Sequence, residues 1–391
     1  MKQRMVYLDH AATTPVRREA LKQMRPFFDQ HFANPASLYR EGVLAKKTLD
    51  GARARIAGII GAQPDTIVFT DGGSESNNLA IFGVAEANRE RGRQIISSNL
   101  EHSTVMEPLS QLARQGWGVN MAPSDKSGLI DTDKIMNLIT PETVLVSIMY
   151  ANNEIGAKGP IAEIGRRILK YRQEHSTALP YFHTDACRAA GYLELDVEKL
   201  HVDLMSLNSG KIYGPKGAGM LYSRRGVKIN ARQFGGGQEG GLRAGTENVA
   251  GIVGFAAALE LAQEEKTKES ARLRKLTNYF WKKIQKNFSN AKLNGPELGE
   301  SRLPNNLNIT FPGLDGEQMV LYLDAEGVMC STASACDALS DEPSHVLCAL
   351  QIPSSDVRST LRFSLGRSTT KADIDYTIGA LHKAAGLIRL H

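Results

Sequence analysis

The sequence predicts an α/β protein with a mainly parallel sheet and a smaller α+β unit after it. Short apolar runs rich in β-branched residues alternate with longer amphipathic stretches, which is typical of βα units. With 391 residues, 42% of them hydrophobic, the chain can fill one large domain and a second, smaller one. The predicted strands are TIVFT (66–70), QIISS (94–98), TVLVSIMY (143–150), YFHTD (181–185), VDLMSL (202–207) and GAGMLY (217–222).

A long helical stretch separates the two predicted domains. From 249 to 288, apolar residues recur every three or four positions, with charged residues between them. The elements predicted after it are a strand at 305–311, a helix at 316–326, a strand at 358–365 and a last helix capped by Thr370 with Asp373. We therefore predict a large domain over 16–255 and a small domain that combines 1–15 with 256–391.

Composition and charge argue against several classes of protein. The formal net charge of +5 comes from 47 basic and 42 acidic residues that are interspersed, so we expect no nucleic-acid partner. No apolar run is long enough for a signal peptide or a membrane span, so we expect a cytoplasmic protein without membrane contact. No CxxC spacing occurs, so we expect no metal site and reduced thiols at Cys187, Cys330, Cys336 and Cys348.

Polar residues follow most of the predicted strands. In open α/β sheets ligands bind beyond the carboxyl ends of the strands, so residues distant in sequence can converge there. These residues are the turn DGGSESNN (71–78), Glu101 with His102, Asn152 with Asn153, Asp185 and Lys211.

The turn DGGSESNN has two interpretations. Two glycines and Ser74 precede an amphipathic helix, where free backbone N–H groups and the helix dipole attract a phosphate. Alternatively, Ser74 or Ser76 simply caps the helix. A P-loop is disfavoured because no GxxxxGK[ST] occurs and Lys211 is followed by Ile212.

Lys211 and Asp185 form a second candidate constellation. A lysine that follows a buried strand is desolvated, which lowers its pKa and leaves an amine able to form a Schiff base. A carboxylate at the end of a neighbouring strand can pair with a pyridinium nitrogen, as pyridoxal phosphate requires. A buried ion pair without cofactor is the alternative, but it leaves the phosphate-type turn unexplained.

Nine motifs occur in order along the whole chain. They are YLDHAATTP (7–15), FANPAS (32–37), LEHSTV (100–105), NNEIG (152–156), HTDA (183–186), KIYGPKG (211–217), GGGQEGGLRAGTENVAGIVG (235–254), STASAC (331–336) and RFSLGR (362–367). Together they resemble the cysteine desulfurases of iron–sulfur cluster assembly. These are pyridoxal-phosphate enzymes of aminotransferase class V with the fold type I architecture, a PLP-dependent transferase fold.

The resemblance implies roles for the cofactor-binding residues. Lys211 is the Schiff-base lysine and the base that moves protons, Asp185 holds the pyridine nitrogen, and His102 stacks on the ring and assists proton transfer. Gly73 and Ser74 lie at the phosphate. Thr246, in the glycine-rich run 235–248, reaches the phosphate of a neighbouring subunit.

The substrate-binding and sulfur-accepting residues also follow from the resemblance. Asn153, Arg362 and Asn34 bind the substrate, with Arg362 forming a bidentate contact to its carboxylate. Cys336 is the persulfide cysteine, in a run of small and polar residues that predicts a mobile loop. Cys330 and Cys348 lie in apolar or helical sequence and are expected to be small core residues.

Two positions depart from the family pattern. Arg188 replaces a glutamine that hydrogen-bonds the phenolic oxygen of the cofactor, so it is expected to lower the pKa of the Schiff base. Gly210 replaces the histidine before the lysine, so phosphate contacts are expected from Asn208, Ser209 or backbone N–H groups.

The predicted function is a homodimeric cysteine desulfurase with pyridoxal phosphate as its cofactor. L-cysteine is converted to L-alanine, and its sulfur passes to Cys336 and then to an acceptor or cluster scaffold protein. The alternatives are a selenocysteine lyase, an aminotransferase for small amino acids, and a degenerate subunit that binds sulfur carriers without turnover.

Overall fold

The computed structural model describes residues 4–332 and 343–388, in which strands and helices alternate along most of the chain. The strands are Val6–Tyr7 (β1), Ile67–Thr70 (β2), Gln94–Ser98 (β3), Gly118–Ala122 (β4), Thr143–Ser147 (β5), Tyr181–Asp185 (β6), Leu204–Asn208 (β7), Gly219–Ser223 (β8), Lys292–Leu293 (β9), Asn306–Thr310 (β10), Val328–Met329 (β11), Ser331–Thr332 (β12) and Thr360–Ser364 (β13). The helices are Arg18–Met24 (α1), Pro26–Asp29 (α2), Arg40–Ile59 (α3), Gly73–Asn88 (α4), Ser103–Arg114 (α5), Thr132–Met136 (α6), Ile161–Glu174 (α7), Val197–Leu200 (α8), Val249–Asn287 (α9), Gly316–Ala325 (α10), His345–Ala349 (α11), Ser354–Arg358 (α12) and Lys371–Ile388 (α13).

The larger sheet confirms the predicted α/β class. Within the described ranges it has seven strands in the order β2-β8-β7-β6-β5-β3-β4, and β8 runs antiparallel to both of its neighbours. All six predicted strands belong to it. β4 was not predicted, because it is an edge strand whose sequence GVNMA contributes one fully buried residue, so it lacks the continuous apolar run of the central strands.

Both faces of this sheet are buried, which explains why its strands are apolar at consecutive positions. Successive side chains of a strand point to opposite faces. Phe69 and Met205 belong to the core on one face, whereas Val68 and Leu204 belong to the core on the other.

A second sheet follows the long helix. Its strands are antiparallel in the order β12-β13-β10-β9, and β1 pairs in parallel with β11 beside it. Phe280 of α9 packs edge-on against Phe363 of β13, with ring centroids 5.1 Å apart. The N-terminal residues Val6 and Leu8 are buried in the same core. This distribution supports the proposed assignment of 1–15 to the small domain, although the domain boundaries themselves stay a prediction.

The predicted cap of the last helix is confirmed. The backbone N–H of Asp373 donates to Oγ1 of Thr370 at 3.2 Å, and the N–H of Thr370 donates to Oδ2 of Asp373 at 2.9 Å. These reciprocal bonds satisfy donors that the first turn of a helix leaves free. No described helix has the length and apolarity needed to cross a membrane.

Candidate active site

A cavity lies where the carboxyl ends of the parallel strands meet residues of the smaller sheet. The sequence-predicted residues that line it are Gly73, Ser74, His102, Asn153, Asp185, Arg188, Asn208, Lys211 and Arg362. They come from the ends of five strands of the large sheet, β2, β3, β5, β6 and β7, and from β13. The convergence expected at this edge is therefore present in the structure.

Lys211 ends a short 3₁₀ turn, Ser209–Lys211, that follows β7 directly. Its Nζ donates to the carbonyl oxygen of Ala12 at 2.5 Å and to that of Ala11 at 3.3 Å. Both alanines line the same cavity. The amine is therefore held by neutral carbonyl oxygens of the N-terminal segment at the wall of the cavity.

Asp185 is the last residue of β6 and is buried. Its Oδ2 accepts a hydrogen bond from Nδ2 of Asn77 at 2.7 Å, and its Oδ1 accepts one from the backbone N–H of Cys187 at 2.9 Å. Donors on both oxygens fix the orientation of the carboxylate.

His102 is the N-cap residue of α5. Its Nδ1 accepts a hydrogen bond from the backbone N–H of Thr104 at 3.2 Å. Because Nδ1 acts as the acceptor, the proton of the neutral ring is on Nε2. Asn77 also donates to Oγ1 of Thr104 at 2.9 Å, so the same amide links the elements that carry His102 and Asp185.

The turn before α4 leaves its helix N-terminus without a side-chain cap. The N-cap residue is Gly72, with φ of 151°, so the alternative in which Ser74 or Ser76 caps the helix is wrong. Ser76 instead bonds Oγ1 of Thr70 at 2.8 Å. A Cβ on Gly73 would lie 2.6 Å from Sγ of Cys187, so only glycine fits there. The free N–H groups of this turn suit an anion.

Arg362 projects from β13 into the cavity and is buried. Its Nη2 lies 2.9 Å from Oδ1 of Asp9, and its Nη1 donates to the carbonyl oxygen of Asn153 at 3.3 Å. Its Nε is enclosed and has no partner in the described part of the chain. Each Nη group keeps a second N–H beyond these bonds, so the guanidinium at the cavity wall is suited to an additional anionic ligand.

Four predicted residues are not brought into this cavity by the described chain. Ser209 is buried in the turn beside Gly214, and its Oγ has no partner among the described residues. Asn34 and Thr246 are exposed and do not line the cavity. Cys336 lies outside the described residues. A side chain that packs into a turn, such as that of Ser209, has no distinguishing local sequence pattern.

Other residues of the site were missed or given no role by sequence reasoning. Glu101 is completely buried, and desolvation raises the pKa of its carboxyl to about 8. His345 lines the cavity, and its Nε2 donates to the carbonyl oxygen of Glu101 at 2.9 Å. Asn77 is the fourth of the consecutive polar residues that follow Gly73 at the start of α4. A polar residue inside an otherwise apolar helix face was the available signal for Asn77.

Comparison with known proteins assigns the family. The model for aminotransferase class V matches residues 6–377. The chain belongs to the class V aminotransferases. It is 45% identical over 386 residues to a cysteine desulfurase IscS of Dictyoglomus turgidum, and the alignment covers 99% of this chain and 96% of that protein. It is also 45% identical over 370 residues to a cysteine desulfurase IscS of Methanosarcina thermophila, covering 95% of this chain and 89% of that one.

A solved structure of a NifS-like protein has the same fold. It is 34% identical, superposes with a TM-score of 0.91, and the match covers 98% of this chain and all of the other. The expected fold class and the resemblance to the cysteine desulfurases are therefore confirmed for this class V aminotransferase.

The cofactor of this class V aminotransferase is pyridoxal phosphate, and the described residues fit it. Lys211 provides the amine, Asp185 a buried carboxylate for the pyridine nitrogen, and the uncapped start of α4 a phosphate site, all in one cavity. When bound, the cofactor supplies an electron sink at the substrate's α-carbon. A Lys–Asp pair without cofactor would leave the uncapped helix start unexplained.

Proposed function

We propose that this class V aminotransferase removes sulfur from L-cysteine, releases L-alanine and receives the sulfur on Cys336 as a persulfide. The observation that carries the proposal is the convergence of Lys211, Asp185 and the buried Arg362 on one cavity in a relative of cysteine desulfurases. The first two residues fit the cofactor, and the third fits the α-carboxylate of an amino acid.

Arg362 binds and orients the substrate in this proposal. Its position in the cavity wall beside Asn153, with a second N–H left on each Nη group, supports a contact with the substrate carboxylate. Asp9 holds Nη2 and therefore fixes the plane of the guanidinium before the substrate arrives. A fixed guanidinium limits the orientations that a bound amino acid can adopt in the cavity.

Lys211 and His102 move protons in this proposal. With the cofactor bound, the amine of Lys211 would be placed in the cavity wall to accept the α-proton of the substrate. His102 carries its proton on Nε2 because its Nδ1 is used at the start of α5. His102 is therefore equipped to donate that proton within the cavity.

The residues that flank Cys336 support its proposed role. On one side, Ser331 of β12 is paired with Arg362 of β13. On the other side, Ser344 donates to Oε2 of Glu154 at 2.6 Å, and Glu154 lines the cavity. Both described ends of the segment that contains Cys336 are thus attached to residues of the cavity wall.

The proposed reaction consumes one thiol proton and breaks one carbon–sulfur bond. The thiolate of Cys336 attacks the sulfur of bound L-cysteine, a sulfur–sulfur bond forms, and the Cβ–sulfur bond breaks. The electron pair of that bond passes to the substrate carbon skeleton, which takes up protons and leaves as L-alanine. Formation of the thiolate requires assistance, because an unperturbed thiol is mostly protonated at neutral pH.

The test measures alanine and sulfide from L-cysteine in the presence of a reductant. We expect Lys211→Ala to lower kcat by at least ~10²-fold, as is usual for loss of a catalytic acid–base group. Cys336→Ser is expected to abolish sulfide and persulfide formation. Cys348→Ser is the matched control, since Cys348, which was expected from the sequence to be a core residue, is instead an exposed cysteine of α11. Equal activity in all four proteins would overturn the proposal.

A parallel assay with L-selenocysteine tests the alternative of a selenocysteine lyase. Turnover of L-selenocysteine that survives Cys336→Ser, without turnover of L-cysteine by the wild type, would favour that alternative. Persulfide on Cys336 after incubation with L-cysteine would support the desulfurase.

We also propose that the enzyme is a homodimer that passes sulfur to an acceptor or scaffold protein in the cytoplasm. An exposed apolar surface, formed by residues 21–44, supports the dimer. It contains Leu21, Phe28, Phe32, Leu38, Tyr39, Val43 and Leu44. Thr246 lies outside the cavity of its own chain, as expected if it serves a partner. The described cysteines are free thiols, which suits a reducing compartment.

A further inference from the structure

Arg188 is a buried cation in the wall of the active-site cavity. It is only 7% exposed and lies three residues after Asp185. Its Nη1 donates to the carbonyl oxygen of His10 at 3.1 Å, and its Nε is enclosed without a partner among the described residues. Within the described ranges, no carboxylate forms an ion pair with it.

Three titratable side chains near Arg188, those of His10, Tyr192 and Tyr213, are uncharged at neutral pH. Burial, with a contribution from Arg188 itself, lowers the pKa of His10 to about 4. Burial raises the pKa of Tyr192 to about 12 and raises that of Tyr213 as well. At neutral pH none of these side chains carries a negative charge, so none compensates the guanidinium.

The nearby acids are already paired with other arginines. Asp9 forms an ion pair with Arg362 at 2.9 Å, and Glu269 forms one with Arg272 at 2.7 Å. Burial, together with the like charge of Arg362, lowers the pKa of Arg188. The protein therefore holds two guanidinium groups in one cavity wall and supplies a carboxylate to only one of them.

A buried cation without a counter-ion is costly, so the molecule that fills the cavity has to supply the missing charge. Pyridoxal phosphate has two anionic groups, the phosphate and the phenolic oxygen. The ring carbons that carry the phenolic oxygen and the methylene phosphate lie on either side of the ring carbon that carries the aldehyde. The phosphate fits the uncapped start of α4, and Arg188 does not line the groove around this turn. The groove is lined by residues 12–13 and 71–75 and by Asn208, Gly210, Lys211, Lys216 and Gly217. The phenolic oxygen is the remaining anion.

We propose that Arg188 is the counter-ion of the phenolic oxygen of the cofactor, and that cofactor binding in turn neutralises this buried cation. Two consequences follow. The nitrogen that joins Lys211 to the cofactor loses its proton at a lower pH than it would beside a neutral residue, because a nearby cation disfavours a second positive charge. Because its phenolic oxygen neutralises a buried cation, the cofactor also raises the free energy of unfolding by more than its other contacts with the protein would.

The first test is a spectral pH titration of the cofactor-loaded protein without any amino acid present. We expect the transition of wild type to lie at least ~1 pH unit below that of Arg188→Gln, which is the usual effect of one nearby charge. Arg188→Lys keeps the charge, so its transition should stay closer to that of wild type. Arg302→Gln is the control, since Arg302 is a buried arginine that does not line the cavity.

The second test compares thermal unfolding with and without pyridoxal phosphate. The cofactor should raise the Tm of wild type more than that of Arg188→Gln, because only wild type has a cation to neutralise. Coincident titration curves for wild type and Arg188→Gln would overturn the proposal, as would an Arg188→Lys curve that coincides with that of Arg188→Gln. Equal increases in Tm would also overturn it. Neither measurement depends on which amino acid is turned over, so the proposed desulfurase reaction is tested separately.

Discussion

The side-chain amide of Asn77 joins Asp185 to Thr104. Its Nδ2 lies 2.7 Å from Oδ2 of Asp185 and 2.9 Å from Oγ1 of Thr104. One amide of α4 therefore positions the carboxylate at the end of β6 and the first turn of α5, which His102 begins. The parts of the site that come from three separate βα units are linked through a single buried residue.

Replacement of Asn77 is expected to weaken cofactor binding. In Asn77→Ala, Asp185 loses one of its donors, and a hydrogen bond to a charged group contributes roughly 1.5–3 kcal/mol. We expect the dissociation constant for pyridoxal phosphate to rise at least about tenfold. Asn88→Ala is a matched control, since Asn88 is a buried asparagine of the same helix that donates to Val84 and Lys228. Equal dissociation constants for the two variants would contradict the assigned role of Asn77.

The close approach of α4 to Cys187 predicts a substitution that can be rescued. A Cβ at Gly73 would lie 2.6 Å from Sγ of Cys187, so Gly73→Ala should displace the start of α4 and weaken cofactor binding. The double variant Gly73→Ala with Cys187→Ala removes the sulfur and should recover most of the affinity. Gly58→Ala serves as control, because a Cβ added to Gly58 in α3 would have no neighbouring atom within 4 Å. A double variant no better than Gly73→Ala would show that the sulfur is not the obstacle.

Glu101 predicts a pH-dependent stability. Burial raises the pKa of its carboxyl from 4.5 to about 8 in the folded protein. Between these values the unfolded chain has lost the proton and the folded one has kept it. The free energy of unfolding therefore falls as pH rises, by roughly 1.4 kcal/mol per pH unit, and levels off above the folded pKa.

The neutral variant Glu101→Gln removes this contribution. Its Oε1 can still accept the hydrogen bonds from Ser98 and from the backbone N–H of Met149. Urea unfolding across this pH range should give a steeper fall for wild type, so that the variant becomes the more stable protein at alkaline pH. Parallel curves would mean that Glu101 ionises without cost in the folded state.

The apolar surface of residues 21–44 predicts the effect of a charge on assembly. Leu38 is 95% exposed and Phe32 is 76% exposed. We expect Leu38→Glu to shift the protein towards the monomer in sedimentation experiments, because a desolvated carboxylate opposes burial of this surface. Leu321→Glu is the control, since Leu321 of α10 is 70% exposed and lies on another element. A dimer that survives Leu38→Glu unchanged would exclude this surface as the interface.

The strands and the long helix could be predicted from the sequence because each has a recognisable local order of apolar and polar residues. Apolar runs such as Ile67–Thr70 and Leu204–Asn208 are buried on both faces and are recognisable without knowledge of their neighbours. Lys211 and Asp185 were found in the same way, since each follows a buried strand. The edge strand Gly118–Ala122 was missed because partial burial leaves a weaker pattern.

Sequence alone determined which residues end the parallel strands, and hence that an amine, a carboxylate and an anion-binding turn share one edge of the sheet. Only the tertiary structure decided how these groups are held. Asp9 meets Arg362, and Arg188 meets the carbonyl oxygen of His10, across separations of 353 and 178 residues. Such contacts result from the packing of distant segments, which no local pattern encodes, and they determine which cation of the cavity has a counter-ion and which one does not.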